Sequence, residues 1–186
     1  MSRKYKFHDN DKIYFVSFAV INWIDLFIRN VYKDVMLDSL RFCQKEKGLE
    51  LYGRCIMTSH VHLIIGTTGN SLENIMRDLK RHTSEQLRKA IEITPVESRR
   101  EWMLRMMKDA ATLNNNNRVF NYGNSHNNPV QLISNNIAHQ KLDYIHYNPV
   151  EAGFVTKAED WLYSSAIDYY EGKGLLEIKV LDTLVV

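Results

Sequence analysis

Apolar residues along this chain follow two rhythms, and where the rhythm changes marks out the elements. Ile13–Ile21 is nearly continuous apolar and aromatic, which predicts a central strand buried on both faces. Trp23, Ile24, Leu26 and Phe27 follow in a loop expected to cover one end of a sheet. From Asn30 to Lys47 the apolar positions Val31, Val35, Leu37, Leu40 and Cys43 recur at three- and four-residue steps, a helix that Gly48 should stop. Glu50–Met57 and the run beginning at His60 predict two antiparallel strands joined only by Thr58-Ser59. Gly66–Asn70 is a turn, and Ser71 with Asn74 starts a second helix to about Ala90, with Leu72, Ile75, Leu79 and His82 or Thr83 on one side. Residues 92 to 117 are less regular. Trp102, Met103, Met106 and Met107 suggest a short amphipathic helix for local packing, and Asn114–Asn117 is a polar break. Arg118–Tyr122 is a short strand candidate, and Gly123–Pro129 a loop. Helical spacing returns at Ser134, placing Ala138, Leu142 and Ile145 toward the sheet and Ile137, Lys141, Tyr144 and Asn148 on an adjacent side. Pro149 predicts that this helix ends at Asn148.

The order β-α-β-β-α predicts an α+β fold. One further strand would complete a ferredoxin-like antiparallel sheet with helices packed mainly on one face. At 186 residues the chain suits a single domain, residues 1–186, with the segment from about 150 to 186 wrapping the core through Trp161, Tyr163, Tyr169 and Tyr170. Hydrophobic residues at 45% and charged residues at 25% are ordinary for a globular protein. No apolar run reaches membrane-spanning length, and the basic start Met1–Lys6 is not followed by a leader-type apolar segment. A cytoplasmic location and no membrane partner are therefore expected. Cys43 and Cys55 suggest neither a disulfide framework nor a zinc cluster. A net charge of +2 is too small to indicate a nucleic-acid partner, so the placement of charge carries more than its total. Lys80-Arg81-His82, Arg88-Lys89 and Arg99-Arg100 are local basic clusters, a pattern found more often on solvated helix faces than at phosphate sites.

Candidate chemistry centres on Thr58–Ile65. On a strand, His60 and His62 project together from one face while Val61, Leu63 and Ile65 line the other. Neutral imidazoles on a rigid strand make half of a divalent-metal site; paired instead with backbone or carboxylates, they are an ordinary feature of a solvated sheet face. Tyr144 and Asn148 lie one helical turn apart. Should that helix cross the sheet near the histidines, the Asn148 amide oxygen supplies a third ligand and Tyr144 a hydroxyl beside the metal. Mixed imidazole and amide oxygen suits Mg²⁺ or Mn²⁺ acting on a phosphate, with zinc open as an alternative. The tyrosine could then attack phosphorus, though an unperturbed pKa of about 10 means that it needs help. The plain alternative for Tyr144 is a buried helix tyrosine with a satisfied hydroxyl. His146, two residues on, does not share its face and reads as a structural or DNA-contacting group.

His60-Val61-His62 within Met57–Ile64 resembles the HUH motif (His, bulky hydrophobic, His) of single-tyrosine, IS200-like transposases. Asp143–Val155 resembles the signature of their REP-associated branch. Leu79–Ser84 is similar to that branch's basic helix, and Trp161–Ala166 to its C-terminal segment. The ordered set spans Phe15 to about Tyr170. The resemblance implies a ferredoxin-like (RRM-like) fold with the HUH motif on a central strand, and metal-dependent cleavage and joining of single-stranded DNA. It implies His60, His62 and Asn148 as ligands of Mg²⁺ or Mn²⁺, and Tyr144 as the nucleophile joined to the 5′ phosphate, leaving a free 3′ hydroxyl. The substrate it implies is a hairpin-forming DNA beside a single-stranded guide. Relatives often carry Trp-Gln before the Gly-Asn loop, whereas Phe120-Asn121-Tyr122 stands here, and the loop Asn124–Pro129 with His126 is longer than usual.

DNA contact is expected from Lys80, Arg81, Arg88, Lys141 and His146, with aromatic stacking on unpaired bases. Two rival readings stand beside the transposase: a domesticated protein that grips hairpin DNA without cutting it, and an unrelated metal-dependent phosphodiesterase that activates water. The linker before Ser134, rich in Asn and Gly, permits either a monomer or a homodimer that exchanges the tyrosine helix between subunits.

Overall fold

The computed structural model describes residues 7, 9–112, 129–170 and 172–181. The strand expected at Arg118–Tyr122 and the Asn-rich stretches 114–117 and 124–128, with His126, lie outside them.

Strand β1, Tyr14–Ala19, is shorter than the apolar run that announces it because the chain leaves the sheet after Ala19 and enters a 3-10 turn at Ile21–Trp23, then a second at Leu26–Ile28. Helix α1, Asn30–Lys47, follows and ends at Gly48, whose φ of 74° is the left-handed C-cap that glycine adopts without cost. A side chain there would also collide with Gly69, whose backbone nitrogen would lie 2.8 Å from a Cβ. Strands β2, Leu49–Ile56, and β3, His60–Thr67, form the expected antiparallel pair, with a register shift between Leu51 and Gly53. Helix α2, Leu72–Ile93, starts at Ser71, whose side chain accepts the Asn74 N–H. Helix α3, Arg100–Thr112, buries Met103 and Met107 in the main core and leaves Trp102 exposed. A two-residue strand β4, Val130–Gln131, pairs with Tyr14 and Phe15. Helix α4, Asn135–Glu151, and a short helix α5, Ala166–Tyr170, complete the elements.

The sheet order is β2-β3-β1-β4, all neighbours antiparallel, which is the ferredoxin-like arrangement. Strand β3 therefore lies inside the sheet, between β2 and β1. On one face Tyr14, Val16, Phe18, Val61, Leu63 and Ile65 pack with α1, α2 and α3 into the larger core. On the other, Phe15, Cys55 and Ile64 meet Ala138, Leu142 and Ile145 of α4, the side of that helix expected to face the sheet.

Helix α4 does not stop at Asn148. Pro149 sits inside it, and the turn closes through Ala152 N–H to Asn148 O and Phe154 N–H to Pro149 O, with Gly153 at φ 74°. A proline in a last turn costs about one backbone hydrogen bond and can be absorbed there. Asn148 thus keeps helical geometry, in phase with Tyr144. Beyond α4 the chain runs along the free edge of β2: Ile56 N–H donates to Tyr163 O, Ser165 N–H to Arg54 O and Lys179 N–H to Leu51 O. A covered edge cannot template pairing with another chain.

Candidate active site

The two-residue period of β3 decides what each face receives. Val61 and Leu63 point into the apolar core; His60 and His62 point toward α4. Their ring centroids are 4.7 Å apart. Antiparallel register sets Ser17 opposite His62 and Ala19 opposite His60. This brings Phe15, one pair further along β1, against the His62 ring at 5.7 Å.

Helix α4 lays three side chains over this row at one-turn spacing. The Lys141 Nζ sits 5.0 Å above the Phe15 ring and 5.7 Å from that of Tyr144. Tyr144 meets His62 edge-on at 5.2 Å and Phe15 at 6.0 Å, and is 45% exposed, so the residue is open to solvent. Asn148 Oδ1 lies 3.3 Å from His60 Nε2, and Ser59 Oγ lies 3.2 Å from His60 Nδ1. The four residues expected to converge do so.

Electrostatics favour neutral imidazoles here. Burial pushes the His62 ring down to about 3, assisted by His60 and the Lys141 ammonium. Burial also lowers His60, against a hydrogen bond to the Asn148 amide oxygen that opposes the shift. His62 is 3% exposed, yet neither of its ring nitrogens has a hydrogen-bond partner among the described residues. A buried polar atom left unsatisfied costs about 1–3 kcal/mol, and coordination through the imidazole lone pair would satisfy one of the two His62 nitrogens. No third His, Cys, Asp or Glu joins the pair among the described residues. Two neutral imidazoles and one amide oxygen, with room for substrate oxygens, therefore fit a divalent cation that also holds a phosphate.

The expected DNA-contacting residues divide. Lys141 is at the site. Lys80 is not on a surface at all: it is 7% exposed, in the larger core, with Nζ 4.8 Å over the Phe18 ring. The sequence triplet Lys80-Arg81-His82 looks uniformly basic, but helical phase turns Lys80 inward and Arg81 outward. Arg81 and Arg88 lie on α2, across the sheet from the histidines. Arg88 is held by Glu85 and Glu92 at 2.7 Å each, and Arg81 lies 3.9 Å from Asp78. His146 is buried rather than presented to DNA: it shares a 2.9 Å hydrogen bond with Ser165 Oγ and packs on Tyr169, and burial lowers it to about 4, with Arg54 assisting.

Two residues at the site carry no motif. Phe15 is announced only as a strand residue, and its part follows from pairing with β3. Trp23, expected to cover the sheet end, is instead 64% exposed, with its ring 5.7 Å from that of His60. Nothing in its spacing marks it.

Comparison with known proteins agrees with this geometry. Residues 15–111 match the family model described as transposase, IS200 like. No curated protein matches the chain. A solved REP-associated tyrosine transposase bound to a REP hairpin superposes with a TM-score of 0.63 at 15% identity, over 89% of this chain and 83% of that one, a likeness of fold. With His60, His62, Tyr144 and Asn148 gathered on one face of that fold, and more than half of its length matching the model, the chain belongs to the IS200-like transposase family.

Proposed function

We propose that the protein is a metal-dependent single-stranded DNA strand transferase that acts on hairpin-forming DNA through a covalent 5′-phosphotyrosine link to Tyr144. The observation that carries this reading is the buried His62, with both ring nitrogens unpartnered among the described residues, beside His60 and 5.2 Å from the ring of the half-exposed Tyr144. The hairpin comes from the solved structural neighbour, which is bound to one.

His60, His62 and Asn148 would hold Mg²⁺ or Mn²⁺, which when bound supplies Lewis-acid polarisation of the scissile phosphate. The chain's own residues do the rest. Lys141 brings a positive charge next to Tyr144, which favours a phosphate held there. Ser59 Oγ steadies the His60 ring at Nδ1, and Nε2 faces the Asn148 amide oxygen, the two atoms that would turn to the cation. Phe15 supports the rings of His62 and Tyr144 from the sheet. In the cleavage step Tyr144 Oη bonds to phosphorus and loses its proton to solvent. The P–O3′ bond breaks, and O3′ leaves with the electron pair and takes up a proton. Attack by a 3′ hydroxyl on the phosphotyrosine reverses this, so joining needs no nucleotide cofactor.

The test is incubation with a pool of labelled single-stranded hairpin DNAs and Mg²⁺ or Mn²⁺, followed by a denaturing protein gel. Label on the protein that disappears with chelator and returns with metal is the expected result. Cleavage with no label on the protein would overturn the tyrosine route in favour of water. Binding with neither cleavage nor label would leave a hairpin-gripping protein in place of an enzyme.

A further inference from the structure

Trp23 is an expensive residue in its place. It exposes 64% of its surface, and its backbone, with that of Asn22 before it, sits at φ 55°. Asn22 is among the side chains that tolerate this left-handed region, but a bulky tryptophan at Trp23 is not, so the strain falls on Trp23. The surrounding turn is well held: Val20 N–H donates to Ser59 O, Trp23 N–H to Val20 O, and Phe27 N–H to Thr58 O. Leu26 and Phe27 nearby are fully buried, so the strain serves neither of their contacts by exposing the indole. What it achieves is to stand the indole beside His60, the ring contact being 5.7 Å at 61° between planes.

The position of that indole relative to Tyr144 carries the inference. Tyr144 meets Phe15 and His62, which lie toward the start of β1, whereas Trp23 follows Ala19, the residue opposite His60. The rings thus run Trp23, His60, His62, Tyr144, with the histidine pair between the tryptophan and the tyrosine. Displacement at phosphorus is in line, so the leaving oxygen departs opposite the attacking one. A phosphate held at the histidines and attacked from the Tyr144 side sends its leaving nucleotide toward Trp23.

We propose that Trp23 is the stacking platform for the base of the leaving nucleotide, the one that will carry the free 3′ hydroxyl. This rests on the strand-transfer reading above and adds a substrate-binding residue and its position to it. Stacking there would orient O3′ for departure. It would also retain the nucleotide after cleavage, so that the same 3′ hydroxyl remains poised to reverse the reaction. Every base offers a face to an indole, so the contact is tolerant of sequence.

The test uses the full chain and whichever hairpin oligonucleotide labels the wild-type protein. Adduct formation is measured in single turnover for wild type, Trp23→Ala and Trp23→Phe, on that oligonucleotide and on one with an abasic site at the leaving nucleotide. Trp23→Ala should slow the adduct about 10- to 100-fold, and Trp23→Phe by less than about 5-fold. The abasic site should slow wild type by a similar factor and add little on top of Trp23→Ala. With 2-aminopurine at the leaving nucleotide, its fluorescence should be quenched by wild type and restored by Trp23→Ala, with no such change when the probe sits on the tyrosine-linked side. Equal rates for Trp23→Ala and wild type, or additive losses from the variant and the abasic site, overturn this inference alone. A wild-type protein that labels with no hairpin brings down the strand-transfer reading, and this inference with it. Unchanged melting of both variants keeps the comparison on substrate binding; a Trp23→Ala protein that unfolds leaves Trp23→Phe and the fluorescence quench to decide.

Discussion

The two faces of the sheet are built from the same strands and do opposite things. Toward α1, α2 and α3 the residues of β1 and β3 are aliphatic or aromatic and fully buried, with Val61, Leu63 and Ile65 all at 0% exposure. Toward α4 the apolar patch is smaller, and His60, His62, Tyr144, Asn148 and Lys141 occupy its margin. One face removes apolar surface from water, at about 25 cal/mol per Å². The other buries an imidazole with no hydrogen-bond partner among the described residues, against a helix whose tyrosine remains open. A strand's two-residue period allows this division. Residue 61 can serve stability while residues 60 and 62 serve chemistry, and the larger core offsets a site that is unfavourable in isolation.

Substitutions at neighbouring positions of β3 should separate the two roles most sharply. His62→Leu should reduce adduct formation by more than about 100-fold while leaving the melting temperature unchanged or higher, because an unsatisfied buried imidazole is replaced by an apolar group of similar volume. Adduct rates and thermal melts on one preparation would check it; a large loss of stability would mean that His62 is a structural residue. Leu63→Ala, one position along, should do the reverse. It should destabilise by about 2–5 kcal/mol through the cavity it leaves, with activity per folded molecule retained. Denaturant titration measures the first quantity, and the adduct rate normalised to the folded fraction the second.

Acid should find the α4 side first. His62 and His146 are buried neutral, at about 3 and about 4, below the ordinary 6.5. The unfolded chain therefore takes up two protons that the folded chain refuses. Stability from this source is fully present above pH 6.5, and declines as pH falls toward the folded values. Between about pH 4.5 and 6 the slope should approach ~2.7 kcal/mol per pH unit, about 1.4 for each histidine. His146→Gln should remove about half of that slope in urea melts at pH 6 and pH 5; an unchanged slope would mean that His146 protonates in place.

Charge gives the smallest contrast. Lys141→Ala should weaken binding to a single-stranded hairpin and flatten the dependence of log K on log salt by about 0.7, one phosphate's share. Arg88→Ala, on the far face and already paired to Glu85 and Glu92, should change neither. Equal effects from both would place DNA across α2 as well.

How far the sequence anticipated this contrast depends on the kind of information. Three strands of the sheet, the helices up to α4 and the inward side of α4 were legible because local periodicity reports burial directly, as at Leu142 and Ile145, whereas the two-residue β4, Val130–Gln131, is too short to carry a period. The convergence of His60, His62, Tyr144 and Asn148 was also anticipated, through phase on a strand and a helix. What periodicity cannot report is which face of the sheet a helix covers. Lys80 and Arg81 looked like a DNA-binding pair, yet one is inside the larger core and the other on its outer side. His146 likewise reads as polar but is buried by Ser165 and Tyr169, which are distant in sequence. The helix end was misjudged at Pro149, where a tertiary-packed last turn tolerates the missing N–H. Trp23 depends on two left-handed residues after β1; Asn22 suits that conformation, but nothing about Trp23 advertises it.

The most direct measurement maps the attachment point. Protein labelled by a hairpin DNA in the presence of Mn²⁺ would be digested with protease and nuclease, and the modified peptide sequenced by mass spectrometry. A nucleotide remnant on Tyr144, absent with chelator and lost in Tyr144→Phe while hairpin binding persists, is the expected result. A remnant on another residue, or an adduct that survives Tyr144→Phe, would contradict the assignment of the α4 face as the seat of strand transfer.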